Sequence, residues 1–177
     1  MNLVEKIVAL HRALEKHDLP HAFGGALALA WCTERPRATI DIDVNLFLDA
    51  DQFDCVEAAL PDGIDVTDAD RSAIAVDGQT RLWWHGTPVD VFCNTTPFHA
   101  EAGERARVEP FGGTQVPFLA CRDLAVFKAF FDRTKDWADL EEMDAAGCLD
   151  RSAILGVLTA YLGGDDHRIE RLRSLRS

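Results

Sequence analysis

Long apolar runs are missing from this 177-residue chain, and no stretch reaches the length that a membrane-spanning helix requires. The opening segment "MNLVEKIVALHRALEKHDLP" carries charge along its length and lacks the apolar region of a secretory signal. Together these absences set the expectation of a soluble, cytoplasmic protein with no membrane partner. Cations are scarce as well: 18 Lys and Arg stand against 30 Asp and Glu, a formal net charge of −12. A surface of that sign repels polyphosphate, which argues against nonspecific coating of nucleic acid but not against a local basic groove. Paired cysteines are also lacking. Cys32, Cys55, Cys93, Cys121 and Cys148 are odd in number, scattered, and form no CxxC. They are expected as buried free thiols of a reducing compartment, not as a disulfide framework or a zinc site. Repeats and low-complexity segments are absent.

What is present is ordinary globular composition, with 47% hydrophobic and 27% charged residues, enough for a real core in one domain or one domain with a small appendage. Leu3, Ile7, Leu10 and Leu14 recur at helical spacing, predicting an amphipathic helix that ends near Pro20. After the short apolar lead "HAF" and the pair Gly24-Gly25, "ALALAWC" reads as a helix and "TERPRAT" as a loop. "TIDIDVNLFL" alternates: Ile40, Ile42, Val44 and Leu46 to one face, Asp41, Asp43 and Asn45 to the other, the period of a strand. A helix is expected over "DADQFDCVEAAL", with Phe53, Val56 and Leu60 on one side. "SAIAVDG" reads as a short strand. "TRLWWHGTPVDVFCN" reads as a hairpin turning at His85-Gly86-Thr87, with a further strand near "TQVPF".

From Arg122 the pattern is helical. It has an apolar stripe of Leu124, Phe127, Phe130 and Phe131, a second helix closed by Gly147, a third stopped by a Gly pair, and a tail carrying Arg168, Arg171, Arg173 and Arg176. The expected fold is α+β: a small mixed or antiparallel sheet with flanking helices over residues 1–118, and a helical C-terminal part over residues 119–177 packed on that core.

Aspartates inside an apolar strand need a reason, because buried carboxylates are rarely left without partners. Asp41 and Asp43 are two apart on a strand and share a face. Asp90, in "VDVF", has the same apolar flanks on a later strand. Were the strands neighbours, three carboxylates would converge, and hard divalent cations suit such a cluster. Two ions about 3.5–4 Å apart would serve phosphoryl chemistry. Gly24 and Gly25 add a backbone that can approach a phosphate, followed by the positive end of a helix. Asp-x-Asp or Gly-Gly alone is commonplace; the conjunction with the isolated later aspartate is what carries specificity.

That conjunction resembles the DNA polymerase beta-type nucleotidyltransferase superfamily, with a minimal nucleotidyltransferase fold. "RPRATIDIDV" further resembles the Arg-x-Thr-x-Asp-x-Asp segment of the AbiEii-like nucleotidyltransferase toxins of toxin–antitoxin and abortive-infection systems. "RDLAVFKAF" places Asp123, Leu124 and Lys128 as in a later motif of that family, and "RTKDWADL" matches another through Arg133, Lys135, Asp136, Trp137 and Asp139. Arg133 and Lys135 exchange the family's lysine and arginine. The likeness runs from about His21 to Leu140.

It implies a metal-dependent transfer of a nucleoside monophosphate from an NTP such as ATP, with two Mg2+ ions (or Mn2+) on Asp41, Asp43 and Asp90. Gly24, Gly25, Arg37, Thr39 and Lys128 would bind nucleotide. Lys128 would neutralise triphosphate charge, and Asp136 would either orient Lys128 or act as a base toward the acceptor. The implied acceptor is RNA (the tRNA acceptor end) or a protein, and an antitoxin is an implied partner. Two rivals remain beside it: an aminoglycoside-type small-molecule nucleotidyltransferase, which the acidic surface suits, and a catalytically silent nucleotide-binding module.

Other features invite less. His11 and His17 are six apart and share no helix face, so no metal site is expected there. Of Trp83 and Trp84, one ring is expected in the core. The Arg-rich tail would contact RNA or pair with the chain's own acids.

Overall fold

The computed structural model describes residues 1–175; Arg176 of the tail lies outside them. The chain divides into two compact units, the first made of Met1–Leu27 and Ala38–Leu119, the second of Ala28–Arg37 and the segment from Ala120 onward. The fold class is α+β.

In the first unit, helix α1 (Leu3–Lys16) starts at Asn2, whose side chain and that of Glu5 form a reciprocal capping box. Its apolar face buries Ile7, Leu10 and Leu14 completely. Strand β1 (His21–Phe23) leads into helix α2 (Gly25–Thr33), which belongs to the second unit from Ala28 on, and β2 (Ile42–Asp49) follows in the first. A 3-10 turn (Ala50–Gln52) and helices α3 (Phe53–Ala59) and α4 (Asp68–Asp77) precede the hairpin β3 (Gln79–Trp84) and β4 (Thr87–Asn94). Helix α5 (Pro97–Glu104) and the hairpin β5 (Arg107–Phe111) and β6 (Thr114–Phe118) complete the unit.

The strands form one mixed six-stranded sheet in the order β3-β4-β2-β1-β6-β5. The pair β2–β4 is parallel and in register at Asp43 and Asp90, while β1–β2 and β3–β4 are antiparallel. Phe23, Ile42, Val44, Leu46, Val89, Val91 and Phe118 fill the core, each at most 2% exposed. Lys6 is buried as well, and its ammonium donates to the Trp84 carbonyl and to Thr87 Oγ1, both at 2.7 Å. That satisfies a charge otherwise costly to bury.

Several expectations are corrected here, while that of one buried tryptophan ring is met. "SAIAVDG" lies in helix α4: Thr67 caps it through a reciprocal box with Asp70, and Gly78 closes it with left-handed geometry at φ 67°. Ile40 is 80% exposed and lies ahead of β2, so the buried stripe begins at Ile42. The β3–β4 turn has two residues, His85 and Gly86, both with positive φ (46° and 78°), which matches the strands' twist. Trp84 is the buried ring, its indole N–H donating to the Asp62 carbonyl at 3.1 Å, and Trp83 is 56% exposed. His11 and His21 form a buried hydrogen-bonded pair at 2.9 Å.

The second unit is helical: α6 (Cys121–Phe131), α7 (Thr134–Ala145), α8 (Arg151–Leu162) and α9 (His167–Arg173). The inward face of α6 is Leu124, Ala125, Val126 and Ala129, whereas Phe131 of the expected stripe is 40% exposed. Trp137, Leu140 and Met143 of α7 and Ile154 and Leu158 of α8 are fully or almost fully buried. Cys32 and Cys121 are joined in a disulfide, which corrects the expectation of free thiols for these two; Cys55, Cys93 and Cys148 are free, but only Cys93 is buried, Cys148 being half-buried and Cys55 exposed. Scattered sequence positions gave no hint that the end of α2 and the start of α6 meet. Arg168 pairs with Asp166 and Arg171 lies over the Trp137 ring at 4.5 Å, so these two tail arginines serve the unit's own acids and aromatics. Among the described residues no helix is long and apolar enough to cross a membrane.

Candidate active site

Asp43 and Asp90 are register partners on the parallel strands β2 and β4, so both side chains leave the same face of the sheet. Arg81 is the register partner of Asp90 on the antiparallel strand β3 and joins the same row. Its guanidinium grips Asp90 with both prongs: Nε donates to Oδ1 at 2.6 Å and Nη2 to Oδ2 at 2.7 Å. The Asp90 hydrogen bond and charge raise the Arg81 pKa further, and the charges of Asp41 and Asp43 add to it. Asp41 stands just ahead of β2. Thr39 Oγ1 donates to the Asp41 carboxylate and, at 3.2 Å, to its carbonyl.

The glycine turn lies against this row. Gly24 N–H donates to the Asp43 carbonyl at 2.9 Å. Gly25 opens α2 at φ 52°, and a Cβ there would fall 1.9 Å from Asp43 Oδ2. A Cβ on Gly24 would meet the buried Asn45 amide nitrogen at 2.9 Å. The turn therefore needs glycine for two separate reasons, left-handed backbone at Gly25 and lack of room at both.

The donor chemistry of Asp43 and Asp90, oxygen ligands on one face beside a backbone with no room for a side chain, fits a hard divalent ion. The full three-carboxylate convergence expected from sequence is not what stands there: among the described residues no three His, Cys, Asp or Glu side chains gather as a metal site. Asp90 is gripped by Arg81 and Asp41 is turned to Thr39, and the positive charge of the row is supplied by the protein itself. Arg81 is the residue sequence reasoning missed.

Lys128 and Asp136 occupy a second cluster, within the helical unit. Lys128, expected at a polar edge, is 7% exposed. Its ammonium donates to Asp139 Oδ2 at 2.6 Å and lies 3.9 Å from Asp136 Oδ1. Arg133 pairs with Asp136 at 2.6 Å, and Arg37 pairs with Asp139 at 2.6 Å and Glu142 at 2.8 Å. The fold thus gathers Arg37, Lys128, Arg133, Asp136 and Asp139 in one ionic network. Arg37 spends its guanidinium on carboxylates, and Asp136 also accepts the Arg133 N–H at 3.3 Å as an N-terminal cap of α7.

The mixed sheet, with its Gly-Gly turn against carboxylate-bearing strands, is a nucleotidyltransferase fold. The chain is similar to the solution structure of the antibiotic-resistance factor ANT(2'')-Ia, with a TM-score of 0.58 and 15% identity over 97% of this chain and 89% of that one. It is similar to the crystal structure of ANT(2'')-Ia in complex with adenylyl-2''-tobramycin, with a TM-score of 0.56 and 15% identity over 97% and 94% of the two chains. An antigenic nucleotidyltransferase-like protein from Paracoccidioides brasiliensis aligns at a TM-score of 0.52 and 10% identity over 97% and 85%. No protein-family model and no curated protein sequence matches the chain.

Proposed function

We propose that this protein is a metal-dependent nucleotidyltransferase that moves a nucleoside monophosphate from an NTP to an acceptor hydroxyl, releasing pyrophosphate. The observation that carries the reading is the placement of Asp43 and Asp90 side by side on one sheet face, with the Gly24-Gly25 turn pressed against Asp43. Asp43 and Asp90 would hold Mg2+ there, and a bound ion would supply charge neutralisation on the triphosphate and activation of the attacking oxygen. The backbone of Gly24 and Gly25 and the first N–H groups of α2 face the phosphates. Thr39 fixes the direction of Asp41.

For the acceptor, a polycationic small molecule of the aminoglycoside kind is the first reading. The net charge of −12 favours a cationic acceptor over RNA, and ANT(2'')-Ia, the antibiotic-resistance factor, shares the fold. A toxin-like enzyme acting on tRNA or protein, controlled by an antitoxin, is the second. What favours it is that Arg37, Lys128, Asp136 and Asp139, named by the resemblance from distant motifs, come together in one network.

Incubation with each α-labelled NTP, Mg2+, and either aminoglycosides, total RNA or cell protein tests both, with Asp43→Ala as the control. Label on the aminoglycoside supports the first reading, and label on RNA or protein the second. No transfer to any acceptor overturns the function itself.

A further inference from the structure

The row Asp43–Asp90–Arg81 holds a cation of its own. Both oxygens of Asp90 are taken by the guanidinium fork, at 2.6 and 2.7 Å. A fork of this kind is among the stronger charge-assisted contacts and consumes the lone pairs that a metal would draw on. Yet Arg81 is not locked in. Its side chain is 50% exposed, and it stands on β3, at the edge of the sheet, so the guanidinium can leave Asp90 without unfolding a strand. The same planar fork is equally suited to phosphate oxygens.

We propose that Arg81 is a resident counter-ion that makes metal binding at this site depend on the triphosphate. It holds Asp90 until metal and triphosphate arrive together, and then passes from the carboxylate to a phosphate oxygen. No covalent bond changes in this exchange; one ion pair replaces another. Without Arg81 the row would present like charges side by side, which raises its demand for a cation. The free ion therefore competes with Arg81 for Asp90, whereas the metal–triphosphate complex brings the anion that releases it. This inference rests on the nucleotidyltransferase reading of the same site.

The test is calorimetric titration of wild type, Arg81→Met and Arg81→Lys with Mg2+, alone and with inorganic tripolyphosphate present, alongside the wild-type transfer assay. Mg2+ alone should bind Arg81→Met at least tenfold more tightly than wild type, and tripolyphosphate should raise the Mg2+ affinity of wild type at least tenfold more than that of Arg81→Met. Arg81→Lys keeps the charge without the fork, so its values should fall between; it carries the test if Arg81→Met fails to fold. Equal Mg2+ affinity in wild type and variants, with wild-type transfer intact, overturns the role of Arg81 and leaves the function standing. Absence of Mg2+ binding in every protein, with no transfer, overturns both.

Discussion

At Gly25 two demands meet in one residue. The backbone is left-handed at φ 52°, and a Cβ would sit 1.9 Å from a carboxylate oxygen of Asp43. Gly24 has neither the positive φ nor the carboxylate clash; its Cβ would press on Asn45 and, at 3.2 Å, on the end of Leu119. Gly25→Ala should therefore cost about 1–2 kcal/mol for backbone conformation alone, with further loss from displacing Asp43, and transfer should collapse. Gly24→Ala should be the milder change in both respects. Urea unfolding and turnover of the two variants check the order; equal effects would mean the turn does not depend on Asp43.

Lys128 poses a different case. Removing it takes the shared cation from Asp139 and Asp136, both buried, but leaves Arg37 on the first and Arg133 on the second, so Lys128→Ala should lower stability by about 1–3 kcal/mol. A melting curve close to wild type would show that the network rearranges around the loss. The sequence shows Lys128 as an edge lysine because helical periodicity ranks apolar faces, not ion pairs across helices. Arg81 was hidden by one residue. A three-residue turn at His85-Gly86-Thr87 would set Arg81 against Val91, whereas the observed two-residue turn sets it against Asp90.

Among the elements, α4 shows where reading by alternation fails. "SAIAVDG" looks like a short strand, but only Ile74 of α4 is buried and Val76 is 82% exposed. The decisive signal lies upstream, in the Thr67-x-x-Asp70 box and its closing glycine. Thr67→Ala should remove the side-chain oxygen that accepts the Asp70 N–H and cost about 1 kcal/mol, measurable as a shift of urea midpoint at unchanged slope. If the midpoint stays put, the box is ornamental to this helix. The strands β2 and β4 were readable because apolar flanks surround each aspartate. The weaker β5 and helix α5 were not, since β5 buries little and α5 has few apolar positions.

On the scale of the whole molecule, acid is the expected weakness. Burial pushes His21 down to about 4 from 6.5, against the opposing hydrogen bond to the Leu19 carbonyl, with His11 adding to the fall. Burial likewise holds His99 at about 4. Both are neutral when folded and take up a proton more readily when unfolded. Their stabilisation is complete above pH 6.5 and is lost as pH falls toward 4, by roughly 3 kcal/mol for each. Urea titrations at pH 7 and pH 4.5 should show the loss, and His21→Gln with His99→Gln should shrink it. An acid loss unchanged in that double variant would place the sensitivity elsewhere.

The parallel pairing of β2 with β4 also has a bearing on how the chain is assembled. Asp43 and Asp90 belong to strands separated by α3, α4 and β3, so they meet only after a long loop closes, which is entropically slow. The β3–β4 hairpin, by contrast, needs only its two-residue turn, and it carries the Arg81–Asp90 pair from the outset. Asp90 thus reaches β2 already neutralised, and the closing step brings a paired carboxylate up to Asp43. Refolding of Arg81→Met should accordingly be slower than wild type at low salt and recover as salt or Mg2+ is raised, in a stopped-flow experiment. A rate independent of salt would mean that the arginine acts only in the finished protein. Recovery with salt would give one side chain a part in the assembly of the sheet as well as in its finished charge row.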